Sequence, residues 1–400
     1  MSASNLRKPV SREFRLLAAC MGWPQTAETS LRVQGLVAAD IDWEAFVSLT
    51  ARHRVAALAQ AGLHKAGVTA PAEPAQRLAY AARQEAIKEL ALAGEVLRVN
   101  AALQTHAMKP VLLKGVGIAL RGFGRLGMRN NRDIDILVAA GEVAGCGKVL
   151  KSLGYSRIEP AETADDRAIA HWMDLHKDMV FLNRESSTII EVHWRLFDNP
   201  HMMSLGDLKA DTISYGGREI AVLPITTNII YLCAHGAQHA WSRLKWLVDL
   251  SVSLTQLSDA QFEDLRIEAE QRGLQPLLSS SVRLCVDILN TPLPQGFLKS
   301  IGGDWRVDVL QRIAQASLIH GGAVELEDRP WGSTLKNISH YLFKSDLHYW
   351  ISEIHYDYVD GEQVGDDGSW RHNLHRVPRW IIKHAHLRAQ EKTRHNNLAS

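Results

Sequence analysis

The chain has 400 residues, of which 46% are hydrophobic and 22% are charged, and its 45 Lys and Arg residues against 44 Asp and Glu residues give a formal charge of +1. This composition is typical of a globular protein with two or three hydrophobic cores. The balanced charge excludes a basic surface over the whole chain, so any anion-binding surface must be local.

Neither a membrane span nor a disulfide framework is predicted. The longest uncharged stretch, Ile220 to Trp241, contains a proline and several hydroxyls and amides, and it is too polar to cross a bilayer. The four cysteines lie far apart and show no metal-ligand spacing. We therefore expect a protein of the reducing cytoplasm without a membrane partner.

The spacing of apolar residues divides the chain into three predicted regions. Helical spacing runs from about Ser11 to Met108 and returns at Thr226, where one amphipathic helix and its continuation are expected to extend to Ser251. Between them, short runs predict strands, two hairpins and short helices. The predicted regions are N-terminal helices over 1–108, a mixed α/β core over 109–225 and a C-terminal helical domain over 226–400. The predicted strands cover 111–113, 133–138, 179–182 and 188–194, with a second hairpin over 213–223 and helices over 116–121 and 141–153.

Two late segments differ from the rest of the chain in charge. Glu353–Asp367 carries six acidic residues among glycines and aromatics and is predicted to be a solvated loop. Arg371–His395 carries seven Lys and Arg residues and five histidines. A solvated basic helix is the simpler interpretation of that segment, and a phosphate-contacting or membrane-surface face is the alternative.

The motif Asp133-Ile134-Asp135 carries the clearest chemistry. In a strand both carboxylates project from one face while Ile134 points into a core, although a solvated edge strand would have the same pattern. Two carboxylates so close repel each other, and a divalent cation relieves the repulsion. Oxygen ligands of this kind suit Mg²⁺ or Mn²⁺. On this reasoning, Asp135→Asn should leave the stability of the metal-free protein unchanged or raise it.

A third carboxylate, Glu191, lies in the apolar run Ile189–Trp194. A buried carboxylate without a partner is costly, so Glu191 is expected either to face solvent or to coordinate a cation. If its strand lies beside that of Asp133 and Asp135, the three carboxylates form a triad able to hold two metals. His193 shares the strand face of Glu191 and is therefore a further site candidate.

The turn at Lys114-Gly115 and the glycine- and arginine-containing loop that follows offer a place for phosphates. The glycine permits close backbone approach, a helix is expected to begin at Val116, and Arg129 and Arg132 supply cations. We therefore predict that a triphosphate binds here.

His235, His239 and Arg243 follow one another at i+4 spacing and are predicted to share a helix face. Three interpretations are open: zinc binding by the two histidines, a packing role, and a face that closes over the metal site. In the last, this face would donate hydrogen bonds to a phosphate or to a second substrate that accepts the transferred group, with Arg243 and Lys245 as charge partners.

Several of these motifs, in this order, resemble the uncharacterised nucleotidyltransferase family of the polymerase-β-like superfamily. The matching motifs are Leu113-Lys114-Gly115, Arg129, Asp133–Val138, Gly154-Tyr155, Glu191–Trp194 and the helical segment His235–Asp249. The resemblance spans roughly Glu95 to Leu250 and implies an α+β fold, a small mixed-sheet nucleotidyltransferase-like core flanked by N- and C-terminal helical regions. The chain departs from the superfamily in having Lys114-Gly115-Val116 where other members have Gly-Ser or Gly-Gly, which leaves the mode of phosphate binding open.

The resemblance implies a Mg²⁺- or Mn²⁺-dependent transferase. Metal held by Asp133, Asp135 and Glu191 would align an acceptor hydroxyl with the α-phosphorus of an NTP, and pyrophosphate would leave. The acceptor is expected to be a small molecule or a peptide. The alternatives are glycosyl transfer from a nucleotide sugar, a non-catalytic nucleotide-binding module, and an RNA-modifying enzyme, against which the balanced charge argues. The predicted nucleotide-binding residues are Lys114, Gly115, Arg129, Arg132, His193, His235, His239, Arg243 and Lys245.

Overall fold

The computed structural model describes residues 10–206, 208–319, 324 and 332–359. The N-terminal region is helical, as predicted. Ser11, Thr26 and Asp42 begin the first three helices, and each side chain accepts a hydrogen bond from a backbone N–H of the first turn. The helices are α1 (Arg12–Cys20), α2 (Ala27–Val37), α3 (Trp43–His53), α4 (Ala56–Lys65) and α5 (Ala72–Thr105).

After α5 the chain alternates between short strands and short helices. The elements are β1 (Val111–Leu112), α6 (Val116–Ile118), a π-helical segment (Ala119–Phe123), β2 (Asp133–Leu137), a 3₁₀ turn (Ala140–Glu142), α7 (Val143–Ser152), β3 (Ser156–Glu159), α8 (Asp166–Leu175), β4 (Asp178–Asn183), β5 (Thr188–His193), β6 (Asp211–Tyr215) and β7 (Arg218–Val222). The predicted strands and both hairpins are confirmed, whereas β3 and α8 were not predicted.

Within the described residues the strands form one seven-stranded sheet in the order β3-β4-β5-β2-β1-β7-β6. The β2–β5 and β1–β7 pairs are parallel, and the remaining neighbours are antiparallel. One face packs against α7 and the C-terminal half of α5, and it buries Ile134 and Ile136 of β2 with Ile190 and Val192 of β5. The residues between these project from the opposite face, where the chemistry of the site lies.

The C-terminal region is helical, and its helices cover that opposite face. The elements are α9 (Ile225–Gln238), α10 (Leu244–Leu254), α11 (Asp259–Gln271), α12 (Gln275–Leu284), a π-helical segment (Cys285–Leu289), α13 (Gln295–Ser300), α14 (Trp305–Ile319), α15 (Gly332–His340) and α16 (Leu347–Val359). Leu113 and Leu137 of the sheet share one hydrophobic core with α9, α10 and the N-terminal helices. The predicted α+β fold class is therefore confirmed, and the division at residues 108 and 225 stays a prediction.

The sequence predicts one continuous helix across α9 and α10, but the helix is interrupted between them. Ala240 and Trp241 adopt φ values of 47° and 52°, in the left-handed region. A side chain at Gly236 would collide with the Trp241 indole, so the glycine makes room for the ring to fold back onto α9. The prediction of an uninterrupted helix face from His235 to Arg243 is therefore wrong.

The late segments are described only in part. Residues 353–359 belong to α16, and Glu353, which is 5% exposed, accepts a hydrogen bond from Asn199 Nδ2 at 2.8 Å. The predicted solvated loop is therefore wrong for these residues. Positions 360–400, which include the basic segment Arg371–His395, lie outside the described residues. In the described part of the chain, no helix is both long and apolar enough to span a membrane.

Candidate functional site

The pairing of β2 with β5 brings two carboxylates side by side. The parallel register sets Asp135 opposite Glu191 and Leu137 opposite His193. Asp135 is 1% exposed, and the side chain of Glu191 is 24% exposed. His193 Nε2 lies 3.3 Å from Asp135 Oδ1 and 3.3 Å from Glu191 Oε2. The sheet itself therefore builds a buried cluster of two carboxylates and one imidazole.

A lysine ammonium also reaches this cluster. Lys114 Nζ lies 2.9 Å from Asp135 Oδ1. Burial disfavours ionisation of Asp135, but the Lys114 charge and the His193 contact outweigh it and hold the pKa of Asp135 well below its usual range. Burial, reinforced by the neighbouring Asp135 carboxylate, raises the pKa of Glu191. The two carboxylates are therefore unequal, and Glu191 is the one that takes up a proton more readily.

The donor set fits a divalent cation. One ligand atom from each of Asp135, Glu191 and His193 lies within 4.8 Å of the others, and Asp135 Oδ2 is buried without a hydrogen-bond partner in the described structure. An unpaired buried carboxylate oxygen is costly, and a cation would satisfy it. Asp133 is half-buried two residues earlier on the same face and is not part of this close cluster. Its role as a ligand stays a prediction.

The predicted phosphate turn lies at the same place. Lys114 follows β1, and Gly115 has φ 65° and ψ −120°, a conformation that favours glycine. A Cβ at Gly115 would stand 3.7 Å from Asn131 Oδ1 and 3.8 Å from the Asp133 carbonyl. A helix begins at Val116, as expected, and continues as the π-helical segment to Phe123. The contribution of its N-terminus to phosphate binding stays a prediction.

Arg129 stands in an ion pair that supports the fold. Its Nε and Nη2 donate to the two carboxylate oxygens of Asp249 in α10 at 2.8 and 2.9 Å, and both side chains are buried. Asp249 thus binds two nitrogens of the guanidinium, which gives Arg129 a structural role, and its predicted phosphate contact stays a prediction. Arg132, in contrast, is exposed, and its role stays a prediction.

Glu89 of α5 fixes the loop that carries Arg129. Its Oε2 accepts hydrogen bonds from the backbone N–H groups of Gly127 at 2.5 Å and Arg129 at 3.2 Å, and its Oε1 accepts one from Asn131 Nδ2 at 2.8 Å. Glu89 is fully buried. The long helix therefore holds the loop immediately before β2 in one conformation.

Replacement of Glu89 by glutamine is expected to lower the free energy of unfolding by about 1–3 kcal/mol, because one amide oxygen cannot accept all three hydrogen bonds. Urea denaturation of the two proteins measures the difference. Lys88→Gln, at an exposed position in the middle of the same helix, is the control and should change stability by less than about 0.5 kcal/mol. Equal stability of Glu89→Gln and the control would contradict this account of the loop.

The two histidines remain neighbours although the helix ends between them. Their ring centroids are 4.8 Å apart, and His239 stacks on Trp246 at 4.8 Å. Burial lowers the pKa of His239 to about 3 and that of His235 well below its usual range, so both rings are neutral. Arg243 precedes α10 and donates to the carbonyl of Arg52 at 2.6 Å. It therefore does not continue the line of the histidines.

Comparison with known proteins shows to which family the chain belongs. A family profile described as uncharacterised nucleotidyltransferase matches residues 39–290, more than half of the chain. The chain belongs to this family. It is therefore a transferase of the nucleotidyltransferase type, as the motifs predicted.

Two solved structures are similar over part of this nucleotidyltransferase. They are a crystal structure of ANT(2")-Ia in complex with adenylyl-2"-tobramycin, at 13% identity, and a solution structure of the antibiotic-resistance factor ANT(2'')-Ia, at 14% identity. The matches cover 46% and 47% of this chain and 98% and 94% of the other, each with a TM-score of 0.33. A likeness this low carries no argument about the site. No curated protein matches the sequence.

Lys245 of the nucleotidyltransferase is buried beside the same loop. It is 8% exposed, and its ammonium donates to the Asn130 carbonyl at 3.2 Å. Burial, together with the nearby Arg129 charge, lowers the pKa of Lys245 to about 7. The predicted nucleotide contact stays a prediction, but this lysine loses its charge near neutral pH.

This shift predicts a pH dependence of stability. In the unfolded chain a lysine titrates at about 10.4, so between pH 7 and pH 10 the unfolded state binds more protons and the contribution of Lys245 to stability rises with pH. We expect Lys245→Met to be more stable than wild type at pH 7, and this advantage to shrink by about 1 kcal/mol per pH unit on going to pH 9. Urea denaturation at pH 7, 8 and 9 measures it. A constant difference between the two proteins would contradict the lowered pKa.

Three residues near the cluster were not predicted from the sequence. Asp178 faces His193 across the β4–β5 pair, with 3.6 Å between Asp178 Oδ2 and His193 Nε2. Lys177 forms an ion pair with Asp178, and its backbone N–H donates to Asp198 Oδ1 at 2.9 Å. Tyr231 of α9 is buried, and burial raises its pKa to about 12. The predicted strand began at Met179. A strand that began one residue earlier would have placed the Asp178 carboxylate opposite His193.

Proposed function

We propose that the protein is a divalent-metal-dependent nucleotidyltransferase that moves a nucleotidyl group from an NTP to a hydroxyl of a small-molecule or peptide acceptor. The observation that supports this most directly is the buried Asp135–Glu191–His193 cluster with one carboxylate oxygen unpaired. Family membership supplies the reaction class. Mg²⁺ or Mn²⁺ is the proposed cofactor, because hard cations of this kind take carboxylate ligands and phosphate oxygens together.

The proposed ligands are Asp135 and Glu191, with Asp133 on the same face of β2. When bound, the metal would neutralise phosphate charge and polarise the acceptor hydroxyl. The low pKa of Asp135 keeps its carboxylate ionised. Glu191, the more exposed of these two carboxylates, is the proposed group that accepts the hydroxyl proton.

The reaction forms one P–O bond and breaks another. The acceptor oxygen bonds to the α-phosphorus, the bond from that phosphorus to the pyrophosphate oxygen breaks, and pyrophosphate leaves with the electron pair. Lys114 Nζ lies 2.9 Å from Asp135 Oδ1, and we propose that its ammonium binds the phosphates that leave. The half-buried rings of His239, which follows α9, and Trp246, in the first turn of α10, are stacked on each other, and we propose that the base or the acceptor binds there.

The test separates nucleotidyl transfer from the alternatives. The purified protein is incubated with Mn²⁺ or Mg²⁺, a fractionated metabolite and peptide extract, and each NTP labelled at the α- or at the γ-phosphate. Label should enter a product only from the α-position, with release of pyrophosphate. Glu191→Gln should lose the product, whereas Glu185→Gln, at an exposed position of the β4–β5 turn, should retain it. A parallel incubation replaces the NTP with nucleotide sugars labelled in the sugar. Transfer of label in this incubation and not from an NTP would establish the glycosyl alternative.

A further inference from the structure

Lys114 places a positive charge inside the proposed metal site. Its Nζ lies 2.9 Å from Asp135 Oδ1, and its side chain is only 15% exposed. The ammonium is therefore in contact with one of the carboxylates that are the proposed metal ligands.

A divalent ion bound to the same carboxylates would meet this ammonium at close range. Asp135 Oδ1 is already shared by Lys114 and His193, and the free coordination position is on the buried Oδ2. Two like charges a few ångströms apart repel strongly where little water screens them. The ammonium and the metal therefore compete for one cluster, and the binding of one weakens the binding of the other.

The backbone at Lys114 is fixed, and its side chain is long. The N–H of Leu113 donates to the Asp135 carbonyl at 3.0 Å, which ties the end of β1 to β2. Gly115 turns the chain away immediately afterwards. Four methylene groups separate the Lys114 Cα from the ammonium, so the charge can leave Asp135 without any movement of the strand.

We propose that the Lys114 ammonium is a stand-in cation, which neutralises the Asp135 cluster before metal binds and moves from Asp135 to the nucleotide's phosphates when the metal enters. This proposal rests on the proposed function, because it takes the cluster as the metal site. It assigns two successive partners to one lysine.

The proposal predicts effects of opposite sign from one substitution. Lys114→Met removes the competing charge, so Mn²⁺ alone, followed by the EPR signal of free Mn²⁺, should bind at least about tenfold more tightly than to wild type. The complex of Mn²⁺ with a non-hydrolysable NTP should bind at least about tenfold more weakly, because the phosphates lose their ammonium partner. Lys114→Arg, which keeps the charge, should bind Mn²⁺ alone with wild-type affinity.

Lys177→Met is the matched control, because Lys177 is a half-buried cation near the site but pairs with Asp178. Its effect on the affinity for Mn²⁺ alone should be smaller than that of Lys114→Met. If Lys114→Met is too unstable to titrate, the rise in Tm that saturating Mn²⁺ produces gives the same comparison, and it should be larger for the variant than for wild type.

The outcomes separate this proposal from the proposed function. Tighter Mn²⁺ binding and weaker Mn²⁺–NTP binding by Lys114→Met support it. Suppose that wild type binds Mn²⁺ and that Lys114→Met binds Mn²⁺ alone no more tightly than wild type. This result overturns the stand-in role and leaves the proposed function intact. Absence of Mn²⁺ binding by wild type and by Lys114→Met overturns both.

Discussion

Replacing Asp135 with asparagine is expected to abolish metal-dependent nucleotide binding and also to destabilise the metal-free protein. The substitution leaves the buried Lys114 ammonium without its carboxylate, and the loss of one partner of a buried pair is costly because the other charge remains. We expect the free energy of unfolding to fall by about 3 kcal/mol and nucleotidyl transfer to fall at least about 10³-fold.

Urea denaturation without metal and calorimetric titration with Mn²⁺ and NTP measure the two effects. Asp264→Asn, at an exposed position of α11, is the control and should change neither stability nor binding. If Asp135→Asn binds metal and nucleotide as wild type does, Asp135 is not a ligand. If the metal-free variant is as stable as wild type, the ion pair with Lys114 contributes nothing.

Replacing Asp249 with alanine is expected to give the largest loss of stability away from the site. It leaves the 6%-exposed side chain of Arg129 with an unpaired charge. Removal of one partner from such a pair costs about 3–5 kcal/mol. Glu89 also attracts this guanidinium and would still do so in the variant. We therefore expect the loss of unfolding free energy to lie near the lower end of this range, at about 3 kcal/mol. Urea denaturation measures this loss, and the slope of the unfolding free energy against urea concentration should be the same for the variant and the wild type.

Two further variants make this second test specific. Arg77→Ala removes a partner of the exposed Arg77–Glu44 pair, and it should cost less than about 1 kcal/mol. The double variant Arg129→Met with Asp249→Leu removes both buried charges and should recover most of the stability lost by Asp249→Ala. A loss below about 1 kcal/mol for Asp249→Ala would show that Arg129 is not held by this pair.

The sequence predicted most of the sheet because its strands are strongly apolar on one face. β2 and β5 each alternate buried aliphatic residues with the polar residues of the site. The strand β3 was missed for the opposite reason, because it lies at an edge of the sheet, has no fully buried residue and has a weak hydrophobic pattern. The helix α8 carries an amphipathic pattern over its 10 residues and was overlooked.

Contacts between distant parts of the chain could not be predicted. The break after α9 depends on Gly236 and Trp241, and a helical spacing of apolar residues passes through it unchanged. Arg129 and Asp249 are 120 residues apart, so nothing local distinguishes Arg129 from an arginine that binds phosphate. Likewise, the predicted repulsion between Asp133 and Asp135 omits Lys114, whose ammonium reverses the expected effect of Asp135→Asn on stability.

The central claim is that Asp135 and Glu191 hold a divalent metal that binds the phosphates of an NTP. Anomalous diffraction from crystals grown with Mn²⁺ and a non-hydrolysable NTP tests it directly. The claim predicts an anomalous peak about 2.0–2.3 Å from a carboxylate oxygen of Asp135 and from one of Glu191, with an α-phosphate oxygen as a further ligand. An ordered nucleotide with no peak at these carboxylates, or a peak held by other side chains, would contradict it.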